Sequence, residues 1–189
     1  MIARDGAPRP RQPLAIIAMG VSGSGKSTLA RRVAEALRAP FFEGDDYHPP
    51  ANREKMRAGI PLEDSDRWPW LDSLGTVLGA AARAQGLAVG ACSALKRVYR
   101  ERLRQHVAAE VFFVCLTADA ALLDARMAQR PGHFMPPSLL ASQLATLEAP
   151  DESEGALMLD AALSMEELLA RTLWSLEGRI GSPISALRR

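Results

Sequence analysis

The stretch that decides the fold is Met19–Leu37, MGVSGSGKSTLARRVAEAL. Gly20 to Ser27 fit the pattern G-x-x-x-x-G-K-[ST], which describes a loop that holds phosphate. Glycines allow successive backbone N–H groups to turn inward onto phosphate oxygens, and the following helix aims its positive N-terminus at the same place. The candidate nucleotide-binding residues are therefore Gly20, Val21, Ser22, Gly23, Ser24, Gly25, Lys26, Ser27 and Thr28. Within them Lys26 is expected to reach the β- and γ-phosphates, and the Ser27 hydroxyl to ligate Mg²⁺. A Gly/Ser-rich run is also ordinary flexible loop, but this one has strand character before it and a helical pattern after it. Residues 14–19, LAIIAM, are a continuous apolar run, as in a parallel strand covered on both faces. Leu29, Val33, Ala36 and Leu37 recur at helical spacing behind the loop.

Working outward, strands alternate with helices. Short apolar runs at 40–44, 87–92, 111–117 and 156–161 read as four more strands. Helical patterns occupy 49–59, 65–86, 94–107, 119–129, 138–150 and 164–178. Ser65 or Asp66 is a candidate cap of the helix at 65–86, with Pro69 in its first turn. This order implies an α/β chain with a parallel sheet flanked by helices on both faces. A single domain over 14–178 is expected, with flexible tails at 1–13 and 179–189. The tryptophans at 68, 70 and 174 read as core or helix contacts.

Composition sets limits on the function. The chain has 189 residues, 48% of them hydrophobic, and a formal net charge of +1. A domain this long buries roughly 70% of its unfolded surface. The near-neutral charge argues against nucleic-acid binding through a global basic field. No apolar run approaches the roughly 20 residues that span a bilayer, so no membrane partner is expected. The start lacks the apolar segment of a secretory signal. Cys92 and Cys115 each end an apolar run and read as small buried side chains in a reducing compartment. A soluble cytoplasmic enzyme is the resulting expectation.

In open parallel sheets ligands bind beyond the carboxyl ends of the strands, so the residues after each strand are the site candidates. Gly44-Asp45-Asp46 follows the second strand. One carboxylate there suits the role of base toward an attacking hydroxyl, and one suits Mg²⁺ or its waters. Asp45 is preferred as the base, although Gly-Asp-Asp is also good turn chemistry. His48 reads as a helix-entry residue. After the third strand, Lys96 and Arg100 lie four apart, which places them on one helix face. A cationic pair there suits an anionic acceptor, and a solvated basic face is the plainer alternative. After the fourth strand, Arg126 and Arg130, again four apart, precede Pro131-Gly132-His133. They suit a lid that brings positive charge to the transferring phosphoryl group, and thus catalytic roles beside Lys26 and Asp45. The plainer alternative is a helix end that complements its dipole.

Four stretches together resemble the gluconate kinases: MGVSGSGKST, EGDDYHPPANREKMRAGIPLEDSDRWPWL, ACSALKRVYRERLR and RPGHFMPPSLLASQLATLEAP. They cover most of residues 14–150. The phosphate loop is common to many NTPases, whereas the block from Gly44 to Leu71 is distinctive. The resemblance implies a fold like that of nucleoside monophosphate kinases: five parallel strands in order 2-3-1-4-5, with a mobile lid at about 126–150. It implies ATP and Mg²⁺ as cofactors, D-gluconate as acceptor at its primary hydroxyl, and 6-phospho-D-gluconate as product. It further implies that Asp45 lies at that hydroxyl, that Arg53, Lys96, Arg100 and His133 face the sugar acid, that Arg126 and Arg130 belong to the lid, and that the chain forms a homodimer. Another small anionic acceptor, such as shikimate, on the same fold is the alternative.

Overall fold

The computed structural model describes residues 10–128 and 137–180. Five strands form one parallel sheet: β1 (Leu14–Met19), β2 (Phe41–Glu43), β3 (Leu87–Ala91), β4 (Glu110–Thr117) and β5 (Leu157–Asp160), in the order β2-β3-β1-β4-β5. Helices α1 (Lys26–Leu37), α2 (Pro50–Arg57), α3 (Asp64–Gln85), α4 (Arg97–Val107), α5 (Ala120–Ala128), α6 (Pro137–Thr146) and α7 (Met165–Ile180) connect and cover it. The expected strand order is the one observed.

The central strand shows why its sequence has no polar alternation. Every residue of β1 is buried. Successive side chains point to opposite faces of a sheet, so Leu14, Ile16 and Ala18 enter one core with α1 and α7. Ala15, Ile17 and Met19 enter the other with α3 and α4. In α1 the buried residues Leu29, Ala30, Val33, Ala34 and Leu37 form the apolar stripe that closes the first core. Each fully buried leucine of this kind contributes about 1.5–3 kcal/mol.

On the other face, α3 and α4 approach each other closely because α3 carries small residues where they meet. A Cβ added at Gly79 would lie 2.0 Å from the Val107 carbonyl oxygen, and one at Gly75 would lie 2.7 Å from His106 Cβ. Helix α3 therefore packs closely against the C-terminal end of α4.

Several local expectations are corrected. The cap of α3 is Glu63, one residue before the helix. Its side chain accepts from the Asp66 backbone, while Asp66 accepts from the Glu63 N–H at 2.9 Å. Asp66 thus belongs to the capping box as its second member, and Pro69 falls in the second turn. Helix α4 begins at Arg97, not at residue 94, because Ala94 takes a left-handed backbone with φ 43°. Of the three tryptophans, Trp70 is buried and Trp68 half-buried, but Trp174 is 76% exposed on α7 and is no core residue. Both cysteines are buried and free; burial pushes the Cys92 thiol up to about 12 and the Cys115 thiol to about 11.

Candidate active site

Two clefts open at the carboxyl end of the sheet, one on either side of the phosphate loop. Gly25, with φ 94°, ends the loop, and α1 starts at Lys26 with its first N–H groups turned toward the loop. The first cleft is lined by Gly23 to Thr28, Arg126 and the apolar side chains Leu163, Met165 and Leu168. The second is lined by Ser22, Lys26, Asp45, His48, Arg67, Ser93 and Gln143, with Met56, Ile60, Pro61 and Leu62 on its outer wall. Lys26 belongs to both.

The carboxylate side of the second cleft is set by β2 and the turn after it. Gly44–Tyr47 form a single 3₁₀ turn. A Cβ on Gly44 would sit 2.3 Å from the Ala91 carbonyl, so only glycine lets this turn lie against the end of β3. The indole Nε1 of Trp70 donates to the Gly44 carbonyl at 2.7 Å and locks the turn from below. The result aims Asp45 into the cleft, whereas Asp46 is not among its lining residues. His48, read from the sequence as a helix entry, is 4% exposed and stacked on Trp70 with ring centroids 4.0 Å apart. Burial lowers its pKa to about 4, with nearby Asp45 pulling the other way and Arg67 and Arg53 adding to the depression. The ring is therefore neutral at pH 7.

Glu43, at the end of β2, closes the phosphate side. Burial raises its pKa, against a hydrogen bond from Ser27 and the charges of Lys26 and Arg31. Its Oε1 is buried with no hydrogen-bond partner among the described residues. An orphaned carboxylate oxygen beside the Ser27 hydroxyl fits a divalent cation better than it fits an empty apolar wall.

The opposite wall comes from α6. Leu140 packs with Val21, Leu95 and Leu123 in a small cluster of their own. That docking brings Gln143 to the loop, where its Oε1 accepts from the Ser22 N–H at 2.7 Å. Arg126 on α5 donates to the Ala161 carbonyl at 2.8 Å and to the Ser24 carbonyl at 3.4 Å. It therefore stands at the phosphate loop. Arg130 and His133 lie outside the described residues, as does part of the expected lid.

The cations proposed for the acceptor do not converge. Arg100 is 1% exposed and points into the protein. Its Nε and Nη2 donate to the two carboxylate oxygens of Glu154, and its Nη1 donates to the carbonyls of Ala94, Leu95 and Glu148. The assignment of Arg100 to substrate binding is thus corrected: the guanidinium is buried among five acceptors and lines neither cleft. Lys96 is the cap residue before α4, with φ −97°, and so does not share a helical face with Arg100. Its ammonium donates to both oxygens of Asp64, at 2.8 and 3.0 Å, and lies 5.5 Å from the Tyr99 ring. Those hydrogen bonds, with one from the Tyr99 hydroxyl, hold the Asp64 carboxyl below its ordinary range. Arg53 clamps the turn, donating to the carbonyls of His48 at 2.9 Å and Asp46 at 3.1 Å. Neither Lys96 nor Arg53 lines the second cleft.

Arg67, His48, Ser93 and Gln143 in the second cleft, and the Leu163–Met165–Leu168 wall of the first, were not expected from the sequence. The wall has one legible signal in the sequence: it follows the strand end of β5.

Comparison with known proteins agrees with this geometry. Residues 16–150 match the profile of a family described as an AAA domain. A gluconokinase from Gluconobacter oxydans is 50% identical over 143 residues, 76% of this chain and 80% of that one. The crystal structure of a gluconokinase from Sinorhizobium meliloti superposes with a TM-score of 0.79 at 45% identity, covering 88% of this chain and 93% of that one. Shikimate kinase from Aquifex aeolicus shares the fold alone, at 15% identity and a TM-score of 0.54, over 89% of this chain and 99% of that one. With half of its residues identical over four fifths of a gluconokinase, and with the same fold, the chain belongs to the gluconokinase family of P-loop kinases.

Proposed function

We propose that the chain phosphorylates D-gluconate, transferring the γ-phosphoryl group of ATP to the primary hydroxyl and releasing 6-phospho-D-gluconate and ADP. The observation that carries this reading is the position of Lys26, shared by the phosphate-loop cleft and the carboxylate-bearing cleft. A phosphoryl group held between the two is within reach of the loop on one side and an acceptor on the other.

In this reading the loop amides and Lys26 hold the β- and γ-phosphates, and the apolar wall of Leu163, Met165 and Leu168 receives the base. Asp45 accepts the proton of the acceptor hydroxyl as its oxygen bonds to phosphorus and the bond to the ADP oxygen breaks. A positioned base of this kind contributes about 10²–10⁴-fold. Arg126, with Arg130 as its proposed companion in the lid, stabilises charge on the transferring group. The ring of His48 is neutral and leaves a polar edge on the acceptor side without adding to the charges of Lys26 and Arg67. Mg²⁺, when bound, neutralises the phosphate oxygens. Ser27 and Glu43 are the residues that fit it, and no cluster of three or more His, Cys, Asp or Glu side chains among the described residues could hold it alone. Its remaining ligands would come from phosphate oxygens and water, as is common for this ion.

The homodimer and the cytoplasmic location are part of the same proposal. They are supported by the family resemblance and, for location, by two buried thiols left unpaired. Among the described residues no helix is long and apolar enough to cross a membrane.

The test is a coupled ADP-release assay with ATP and Mg²⁺ against a panel of sugar acids, shikimate and glucose, with the product identified by mass and by dehydrogenase coupling. Acceptor-dependent turnover with gluconate ahead of the panel supports the reading. ATP binding without acceptor-stimulated turnover, or preference for shikimate, overturns it.

A further inference from the structure

The acceptor of this reaction is an acid, and three of the cations that the sequence offers for its carboxylate are engaged elsewhere. Arg100 is buried against Glu154 and three carbonyls, Lys96 pairs with Asp64, and Arg53 donates to the turn carbonyls of His48 and Asp46; none of the three lines the acceptor cleft. Among the described residues that line the acceptor cleft, two are cationic: Lys26 and Arg67. Lys26 also borders the phosphate-loop cleft, where its role is toward the nucleotide. Arg67 borders the acceptor cleft alone.

The surroundings of Arg67 are those of a guanidinium held ready for an anion. It stands in the first turn of α3, where the chain comes out of the capping box. One donor, Nη2, bonds the Leu62 carbonyl at 3.2 Å, and the Tyr99 ring lies 5.4 Å from Cζ. Its Nε is buried with no hydrogen-bond partner among the described residues. The acidic side chains nearest along the helix are already taken, Asp64 by Lys96 and Tyr99, and Asp66 by Lys55 at 2.7 and 2.8 Å. A permanent charge with an orphaned N–H, fixed by a carbonyl and an aromatic face, is costly unless a ligand completes it.

We propose that Arg67 receives the carboxylate of the acceptor, and that it sets both the preference for an acid over a neutral sugar and the direction in which the polyol lies. With the carboxylate at Arg67, the far end of an extended six-carbon acid is directed toward the Asp45 and Lys26 side of the same cleft. The planar fork of arginine pairs with a carboxylate through two parallel hydrogen bonds, which fixes orientation as well as charge. The assignment rests on the reading of the acceptor as a sugar acid.

The experiment measures kinetics of the wild type, Arg67→Gln and Arg67→Lys with gluconate and with gluconamide, its uncharged counterpart. In Arg67→Gln the KM for gluconate is expected to rise by about 10²-fold or more, the KM for ATP to stay within a few-fold, and the preference for gluconate over gluconamide to collapse. Arg67→Lys keeps the charge without the fork, so its KM for gluconate is expected to lie between the two. Circular dichroism of each variant separates loss of fold from loss of recognition. If Arg67→Gln does not fold, Arg67→Lys decides: a KM for gluconate within a few-fold of wild type, with the preference intact, overturns the proposal. The same result in a folded Arg67→Gln also overturns it. If the wild type uses a different hydroxy acid and Arg67→Gln loses that one through KM, the gluconate reading fails while the role of Arg67 stands.

Discussion

The guanidinium of Arg100 meets the carboxylate of Glu154 in a two-pronged ion pair, 2.6 Å at Nε and 2.7 Å at Nη2, across 54 residues of chain. The pair joins α4 to the turn before β5, and the Glu148 carbonyl on the same guanidinium ties in the segment that follows α6. It is structural. Arg100→Ala is expected to destabilise the protein by about 3–5 kcal/mol, because it leaves a buried carboxylate without its partner. Urea unfolding of Arg100→Ala, Glu154→Ala and the double variant tests this. The double variant should be less damaged than the sum of the two. A folded Arg100→Ala with wild-type stability and a raised KM for gluconate would return this residue to the substrate.

Lys26→Ala is expected to abolish phosphoryl transfer while leaving the fold intact. Lys26 stands between two solvent-filled clefts, not in the core, so its removal takes charge stabilisation from the reaction and little from packing. Turnover below about 1% of wild type, with unchanged circular dichroism and thermal midpoint, is the expected result.

Asp45→Asn should lower kcat by about 10²-fold or more, with a far smaller change in the KM for ATP. Asp46→Asn should be nearly silent, because Asp46 serves the turn through its carbonyl, which accepts from Arg53. Steady-state kinetics of the two variants side by side decide which carboxylate is the base. The reverse pattern transfers the role to Asp46.

Stability should fall on mild acidification because of His48. Its pKa is depressed from 6.5 to about 4 in the folded protein. Below pH 6.5 the unfolded chain therefore binds a proton that the folded one refuses. The stability this contributes is present above pH 6.5 and lost as pH falls toward 4. The gap amounts to roughly 3 kcal/mol. Glu43, whose pKa is raised by burial, acts in the opposite sense above 4.5, but it is common to wild type and variant. Urea unfolding at pH 7 and pH 4.5 should show a smaller loss in His48→Gln than in wild type. Equal losses would mean that His48 titrates normally.

Gly79→Ala is expected to destabilise by at least about 1–3 kcal/mol, since the added methyl would lie 2.0 Å from the Val107 carbonyl and force α3 and α4 apart. Gly178→Ala, where nothing lies within 4 Å of the added methyl, is the control and should be neutral or slightly stabilising. Differential scanning calorimetry of both variants reads the contrast.

What the sequence by itself determined was local or periodic. The phosphate loop is eight contiguous residues whose chemistry needs only a strand before and a helix after, so its reading required no knowledge of distant contacts. The apolar runs of β1 and β4 are continuous because both faces of the sheet are covered, and that too is written in consecutive residues. Position after a strand end was enough to find Asp45 and Arg126, since topology sends every such loop to the same edge of the sheet. What the tertiary structure decided was which way each charged side chain turns. A spacing of four residues states that two side chains share a helical face only if both are in the helix, and Lys96 is one residue outside it. Nor does spacing say whether that face meets solvent, a cleft or a buried carboxylate. Arg100 turned inward because Glu154 lies there. Arg67, inside a run that reads as an ordinary helix start, lines the same cleft as Lys26 and Asp45, and Leu62, Tyr99 and the paired carboxylates around it leave it a donor to spare among the described residues. Charge and hydrogen-bond capacity are carried by the residue, but whether they are spent on the fold or kept for a ligand depends on partners brought together only by folding.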